Sequence, residues 1–581
     1  MANKAYGLSW PTFFDTIIPP APLNTPPKPT PKKNPFERLR CANATGKRKL
    51  SEAQISKRFV RPLPSMCHLL LITPQAHAIN KNDLAPGLKV ALSERRPDPS
   101  AIDPTRQKID AALFHSASVP TDGRPYWVDQ LVAIEFKTHK SSNDPFTDTT
   151  ATSVNNELQR ERMKTRAQVL SYPELLFQIQ HRLALLMIIV IGRTFRIVRW
   201  DRSGTIVSDA VDYYKEWEFT CEILWRISCL SSEQLGFDPT AERLSPGSIL
   251  YDRMDRAAER DESDVDHRDG HVIAEGDVCS NPPVFAYIRT HFRNSLVPGW
   301  GRYRLKVTSD GGNTRSFLVS KPSFCEKGMA TRGTKGFVAL DCATGEFVWL
   351  KDTWRSDYPG VEQEGSVLQK LNHEPIPNVP TLVCHGDIPG QSTLSPQLWH
   401  LRSCIVPISS ETNIPDDRGQ ATSSSSKRKR DDGNRGEQSC PVATTPGAED
   451  RNLNPDAAHA IKHSVNTALT RDDAAESDYS SGDDSDDEVN SVHDADEERC
   501  ATLDNMPAPQ QPPESPSHPP QPCPLRRQTH YRMVVSEVGM PLQNFTSGLQ
   551  LLSILLDCVT GTSSCPSPCD FALTIPANSP L

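Results

Sequence analysis

The feature that most constrains this chain is an interruption. Apolar patterning runs from near residue 60 to near residue 404, stops, and returns abruptly at residue 530. Residues 405–525 between these limits are rich in Ser, Pro, Asp, Glu and Gly and lack apolar periodicity. Such a composition buries too little surface to offset the entropy of ordering, so the segment is predicted to be disordered. Whatever strand follows it, HYRMVVSEVG (530–539), is expected to pair with strands that precede it. Loop closure grows only logarithmically with length, which makes so long an insertion tolerable. With 581 residues, 36% of them hydrophobic, the chain is several folded blocks joined by solvated segments. A single compact domain, a collagen-like chain and a coiled-coil rod are excluded.

Charge follows the same division. The net charge is −8, yet residues 472–498 alone carry 13 acids and no Lys or Arg. The remainder is mildly basic, so nucleic acid is not excluded as a partner, though little supports it. Fifteen cysteines include no C-x2-C pair, and no histidine follows His530 to complete a site with Cys565 and Cys569. Structural zinc is not expected, and the thiols read as those of an intracellular protein. No secretory signal is visible, and the longest apolar run, LALLMIIVI (183–191), has half the length of a membrane span, so no membrane partner is expected.

Residues 1–59 read as a Pro-rich disordered lead, with eight prolines in 19–35. Residues 60–240 read as a mixed α/β domain. Its strand signals are IDAALF (109–114), LVAIEFK (131–137), LALLMIIVI, TFRIVRW (194–200) and TIVSDA (205–210); helices fit 154–182, kinked at Pro173, and 215–230. Residues 241–282 are a linker too charged to pack. From 283 to 404 come strands TRSFLVS (314–320), KGFVALD (335–341) and EFVWLK (346–351), a helix over 360–372 and strand VPTLVCH (379–385). After the insertion, 526–560 holds a strand and a helix (547–559), and 561–581 follows no pattern.

Lys351 ends its strand, and Glu364 falls on the apolar face of the following helix, three residues after Val361 and four before Leu368. A carboxylate on an apolar stripe needs a partner. The stretches RGTKGFVALDCATGEFVWLKDTWR, PGVEQEGSVLQKLN, VPTLVCHGD and HYRMVVSEVGMPLQNF resemble the fungal-type protein kinase family. RAQVLSY and VRWDRSGTIVSDAVDYY resemble the region ahead of that family's kinase domain. The resemblance implies a multidomain α+β chain. Its N-terminal α/β domain precedes a kinase-like small lobe, a twisted antiparallel sheet plus one helix, made of 283–404 and 526–560. It implies ATP-dependent Ser/Thr phosphorylation of a protein substrate, with ATP and Mg2+ as cofactors. Lys351 would read the phosphates with Glu364 as its ion-pair partner. Gly333 and Gly336 would belong to the phosphate loop, and Glu537 and Gly539 to the hinge that holds adenine. The loop departs from G-x-G-x-x-G. After the hinge only 42 residues remain, with Asp557 and Asp570 in no matching motif, so the helical lobe is missing. His385-Gly-Asp387 precedes the hinge and reads as a turn. The chain is therefore expected to be truncated and inactive, with its cleft face, including the surface under Phe347 and Trp349, exposed. A non-enzymatic nuclear scaffold or binding protein is the alternative.

In the first block, Asp110, then Glu135-x-Lys137 on the next strand, then Gln168 and Tyr172 on a helix resemble the restriction-endonuclease-like pattern. Side chains alternate along a strand, which places Glu135 and Lys137 on one face. The resemblance implies magnesium on Asp110 and Glu135, water oriented by Lys137 and a cap from Gln168. It is read as a fold relic that does not cleave DNA; a metal-dependent nuclease is a third reading, and charged strand ends of an ordinary α/β domain the plain one. Lys427–Arg430 in the insertion reads as a nuclear import tag or a solvated charge cluster. Ser477, Ser480, Ser481 and Ser485 lie among acids and suit an acid-directed kinase, or else sit in a passive spacer. If the boundaries are right, limited proteolysis of 1–581 cuts first within 405–525. First cuts within 330–385 would show them wrong.

Overall fold

A computed structural model of the chain describes residues 5–44, 49–60, 78–93, 96–140, 144–146, 156–266, 284–309, 311–329, 331–358, 360–374, 376–405, 522–545 and 547–563. Among these residues the chain is mixed α and β, with two sheets and nine α-helices. The expected disordered insertion, apart from its end residues, lies outside them, as do Lys427–Arg430, Ser477–Ser485 and the tail beyond 563.

The first sheet holds β1 (Ala5–Leu8), β2 (Leu88–Leu92), β3 (Ala111–His115), β4 (Val132–Lys137), β5 (Leu185–Ile191), β6 (Thr194–Trp200), β7 (Thr205–Ser208) and β8 (Val211–Asp212). Its order is β1-β7-β6-β5-β4-β3-β2, with β8 on β6. All seven residues of β5 are buried, as expected of an unbroken apolar strand covered on both faces. β4 and β5 are parallel, and the long helix α4 (Asn156–Ile179), which runs through Pro173, makes the crossover between them. Gly192, at φ +58°, turns β5 into β6 so tightly that a Cβ there would strike His139 and Asn43.

Residues 5–44 are not a disordered lead. β1 pairs in parallel with β7, and Tyr6, Leu8, Phe13, Ile18, Phe36 and Leu39 are buried in the first core. The prolines form no regular element but are tied down from outside. Trp225 Nε1 donates to Pro26 O, Asn34 Nδ2 to Tyr214 O, and Lys28 pairs with Glu222, along helix α5 (Trp217–Ser228). A composition argument misses partners nearly 200 residues away. A two-residue strand at Cys404–Ile405 adds to β1, so the first sheet recruits residues from beyond 240.

The second sheet begins inside the expected linker. β9 (Ala241–Arg243) pairs with β10 (Tyr303–Thr308), followed by β11 (Thr314–Val319), β12 (Phe324–Cys325), β13 (Lys335–Asp341), β14 (Phe347–Ser356), β15 (Leu382–Ser392), and, with the Cys404–Ile405 strand counted as β16, β17 (Gln528–Val535). The order is β15-β17-β14-β13-β11-β10-β9, with antiparallel pairs throughout and β12 on β13. Helix α6 (Ile249–Ala258) also lies in that stretch, with Met254 fully buried, because its few apolar residues share one face. Residues 267–283 lie outside the described residues. The sheet curls until β15 meets β10: a Cβ on Gly386 would lie 2.1 Å from Thr308 O. His385–Asp387 are therefore strand, not turn, and Asp387 is held by Arg355 and Gln363.

Strand β17 is central although it follows the insertion. It pairs along eight positions with β14, and its far side takes β15. Arg532 fixes it. This side chain is fully buried; it donates from Nη2 to Asp238 (2.5 Å), from Nε to Asp352 (2.9 Å) and from Nη1 to Thr240 Oγ1 and Lys306 O (both 2.8 Å). His530 bonds Asp352 at 2.7 Å and Gln391 at 2.5 Å. Burial alone would push Asp352 up, but His530 and Arg532 outweigh it and hold the carboxyl well below the ordinary range. The same contest, won by Arg532 and then His530, holds Asp238 down. Removing one member leaves buried charge uncompensated, so Arg532→Ala is expected to cost roughly 3–5 kcal/mol in urea unfolding. Because both folded pKa values are depressed, the network's stabilisation is present above the unfolded carboxylate pKa of about 3.9 and fades as pH falls below it. Acid titration of Arg532→Ala should thus unfold at higher pH than the parent chain; an unchanged acid midpoint would dismiss the network.

Candidate functional site

Two polar clusters stand where the sequence reading placed them, one in each sheet. In the second, Lys351 lies in β14 between Gly336 of β13 and Met533 of β17. Its Nζ meets both carboxylate oxygens of Glu364 at 2.8 and 2.7 Å. Glu364 opens helix α8 (Glu364–His373), a turn later than expected, so Val361 lies ahead of the helix and is exposed. Leu368 and Leu371 still anchor the apolar face. Two residues that sequence reading missed set the docking. Gly365 lets the helix start close to the sheet, since a Cβ would meet the His385 ring at 2.1 Å, and its N–H donates to the Tyr531 hydroxyl of β17 at 2.7 Å. The Lys351 side chain is nearly buried, whereas that of Glu364 is 41% exposed, so the pair opens toward solvent on one side.

The glycines divide. Gly336 lies within β13, beneath Trp349, whose ring would be 2.2 Å from a Cβ. Gly333, at φ +58°, lies against the Arg202 guanidinium. The loop is anchored on the first block: Gly328 N–H donates to Glu174 at 2.7 Å, and Arg202 Nη1 donates to Gly328 O at 3.2 Å. Glu537 does not face the cleft through its carboxylate, which instead accepts the Thr381 N–H at 2.7 Å and fixes the chain entering β15. Gly539 lines a hollow of about 650 Å³ with Val338, Trp349, His291 and Ser295.

His291 and Ser295 belong to α7 (Ala286–Ser295), an element unforeseen in its place. Its Tyr287 hydroxyl donates to Val538 O at 2.5 Å, and Phe292 packs on Phe347 with ring centroids 5.1 Å apart. The surface under Phe347 and Trp349 is therefore partly buried against α6 and α7 rather than exposed. The helix sequence AYIRTHFRNS is polar enough to read as solvated, and only Ile288 and Phe292, four apart, hint at a buried stripe.

In the first sheet, extending the β3–β4 register places Asp110 opposite Glu135. Asp110 Oδ2 accepts the Phe136 N–H at 2.8 Å. Glu135 Oε1 accepts from Lys137 Nζ at 2.8 Å and from Gln168 Nε2 at 3.0 Å, and Gln168 also donates to the Tyr172 hydroxyl. Burial, reinforced by the Asp110 charge, pushes Glu135 up to about 8 despite Lys137. Among the described residues no group of three or more His, Cys, Asp or Glu is placed to hold a metal ion.

A family model described as fungal protein kinase matches residues 128–565, three quarters of the chain. The chain belongs to the fungal protein kinase family. No curated protein and no solved structure matches it.

The Lys351–Glu364 pair can be weighed by a double-mutant cycle in urea. With Glu364 partly in water, a coupling of about 0.5–2 kcal/mol is expected, and Glu364→Ala alone should cost more than its share in the double variant. Strict additivity would mean the ion pair contributes nothing.

Proposed function

We propose that the second sheet with α8 is the small lobe of a kinase fold and that it serves to bind ATP at the Lys351–Glu364 pair. The pair carries the reading: a buried-stem ammonium is held by a helix carboxylate beside a hollow that ends at the hinge glycine. Phosphoryl transfer needs a cation against the nucleotide phosphates and a carboxylate to hold that cation. Lys351 would face the phosphates, while Val338, Trp349 and Gly539 border the space for the base. ATP supplies the transferable phosphoryl group. The phosphate side fits. On the base side, the Tyr287 hydroxyl already occupies the Val538 carbonyl, so α7 must yield before a purine edge can use the hinge.

Asp557 and Asp570, which follow the hinge, sit in no H-x-D or D-F-G motif. The second reading, a binding protein without phosphotransfer, is favoured by helix α9 (Gly548–Ser563), which leaves Leu549, Leu552, Leu556 and Val559 more than half exposed.

The test is equilibrium binding of a fluorescent ATP analogue to purified 1–581. Lys351→Ala should abolish it. Tyr287→Phe, which frees the Val538 carbonyl, should tighten it several-fold. No radiolabel is expected to pass from ATP to protein substrates. Equal affinity in parent and Lys351→Ala chains would overturn the nucleotide reading and leave the binding-protein one.

A further inference from the structure

Helix α7 is held against the hinge by a short acidic turn at its N-terminal end. In this turn the Ser263 N–H and Oγ donate to Asp261 Oδ1 at 3.0 and 2.7 Å, and the Asp264 N–H donates to Asp261 O at 3.1 Å. The chain then meets the start of α7: the Val265 N–H donates to Val284 O and the Ala286 N–H to Val265 O, both at 2.9 Å. One turn into the helix, Arg289 clasps both carboxylate oxygens of Asp264 from Nε and Nη2 at 2.7–3.0 Å. Its Nη1 donates to Ala257 O, and Arg293 Nε donates to Ala258 O, so α7 also closes the last-turn carbonyls of α6. Tyr287, two residues before Arg289, is thereby held on Val538 O. The Asp264 side chain is only 6% exposed, whereas Ser263 beside it is exposed.

We propose that Ser263 is a phosphorylation site and that its phosphate opens the Asp264–Arg289 latch, releasing α7 from the hinge. The modifying enzyme is a separate protein kinase with a basic substrate groove, complementary to Asp261, Glu262, Asp264 and Asp266 around the serine. In the transfer, Ser263 Oγ bonds to the γ-phosphorus of ATP and the bond to the bridging oxygen breaks. ADP leaves, and the hydroxyl proton passes to a carboxylate base of that enzyme. The product cannot keep the present turn. Ser263 loses the proton it donates to Asp261, and a charge of about −1.5 to −2 arrives beside that carboxylate. The Arg289 guanidinium is already committed to Asp264 and Ala257 O, so the phosphate gains it only by taking it from Asp264. By repulsion or by exchange, the contact that ties the turn to α7 is lost. Phe292 still packs on Phe347, but the N-terminal half of α7 has lost its anchor and Tyr287 leaves Val538 O. The carbonyl set free is the one a purine edge needs. This last consequence rests on the nucleotide reading; the modification and the unlatching do not.

To test this, chain 1–581 is treated with an acid-directed protein kinase and ATP, freed of nucleotide by gel filtration and mapped by peptide mass spectrometry. Phosphate on Ser263 is expected. Ser263→Ala, treated in parallel, keeps any phosphate gained elsewhere, so the difference between the two chains belongs to Ser263. Amide hydrogen exchange across 286–291 should run at least about fivefold faster in the phosphorylated parent than in treated Ser263→Ala, the low end of ordinary coupling between sites. Asp264→Asn, which weakens the latch without phosphate, should show the same acceleration. The fluorescent ATP analogue should bind the phosphorylated parent more tightly by a similar factor. Exchange is read without nucleotide, so accelerated exchange with no analogue binding to any chain would strike the nucleotide reading and leave the latch supported. Absence of phosphate on Ser263, or exchange in α7 that its phosphate leaves unchanged or slows, would overturn the proposal.

Discussion

Arg532 is the interaction on which the second half of the fold depends. A fully buried guanidinium is tolerable only where every N–H finds an acceptor and the charge finds counter-charge. Here Asp238, Asp352, Thr240 and Lys306 O accept four hydrogen bonds, and the two carboxylates supply the counter-charge. Those acceptors come from the segment leading into β9, from β10 and from β14, and the donor comes from beyond the insertion. The planar fork of Arg can serve several acceptors at fixed angles, which an ammonium cannot do. One side chain thus sets the register of β17, and β17 sets that of β14 and β15. Lys351 and Tyr531 lie on those strands, so the geometry of the Lys351–Glu364 pair descends from the clamp.

The same logic explains how the chain accommodates what lies between residues 392 and 528. Each doubling of a loop costs only about 0.6 kcal/mol in closure entropy. A buried ion network is worth several times that when one of its members is at stake. The first sheet shares in this closure. Ser203 Oγ hydrogen-bonds both Thr393 Oγ1 and Arg526 O, and Leu525 packs into the first core. The chain leaving β15 and the chain entering β17 are both held by the turn after β6, with Asp201 accepting the N–H groups of Leu394 and Ser395. The two sheets therefore jointly close the loop.

Legibility in the sequence followed the range of the interactions. Lys335–Asp341 and Thr194–Trp200 were readable to the residue, because strand patterning and a turn are local properties. Glu364 on its apolar helix face and Glu135 beside Lys137 on one strand face were readable from spacing, whereas Lys351, Asp110 and Gln168 joined them only through resemblance to known families. What stayed hidden depends on partners far along the chain. β1 pairs with a strand 200 residues on, Arg532 with Asp238 across 294, and Tyr287 with Val538 across 251. The proline-rich stretch failed for the same reason: its composition describes the segment alone, while its order comes from Trp225, Tyr214 and Glu222. Gly365 and Gly333 were invisible or misassigned because a glycine's purpose is set by the neighbour that a Cβ would strike, His385 in one case and Arg202 in the other.

The two polar centres differ in a way that bears on what each can do. Lys351 keeps a partner that is partly in water, so its ion pair is screened on one side. Glu135 is buried, and one of its oxygens is committed to both Lys137 and Gln168. The link between them runs through the 328–336 loop, which rests on Glu174 of α4 and on Arg202. Helix α4 also carries Gln168, so the same helix touches both Glu135 and the glycine loop.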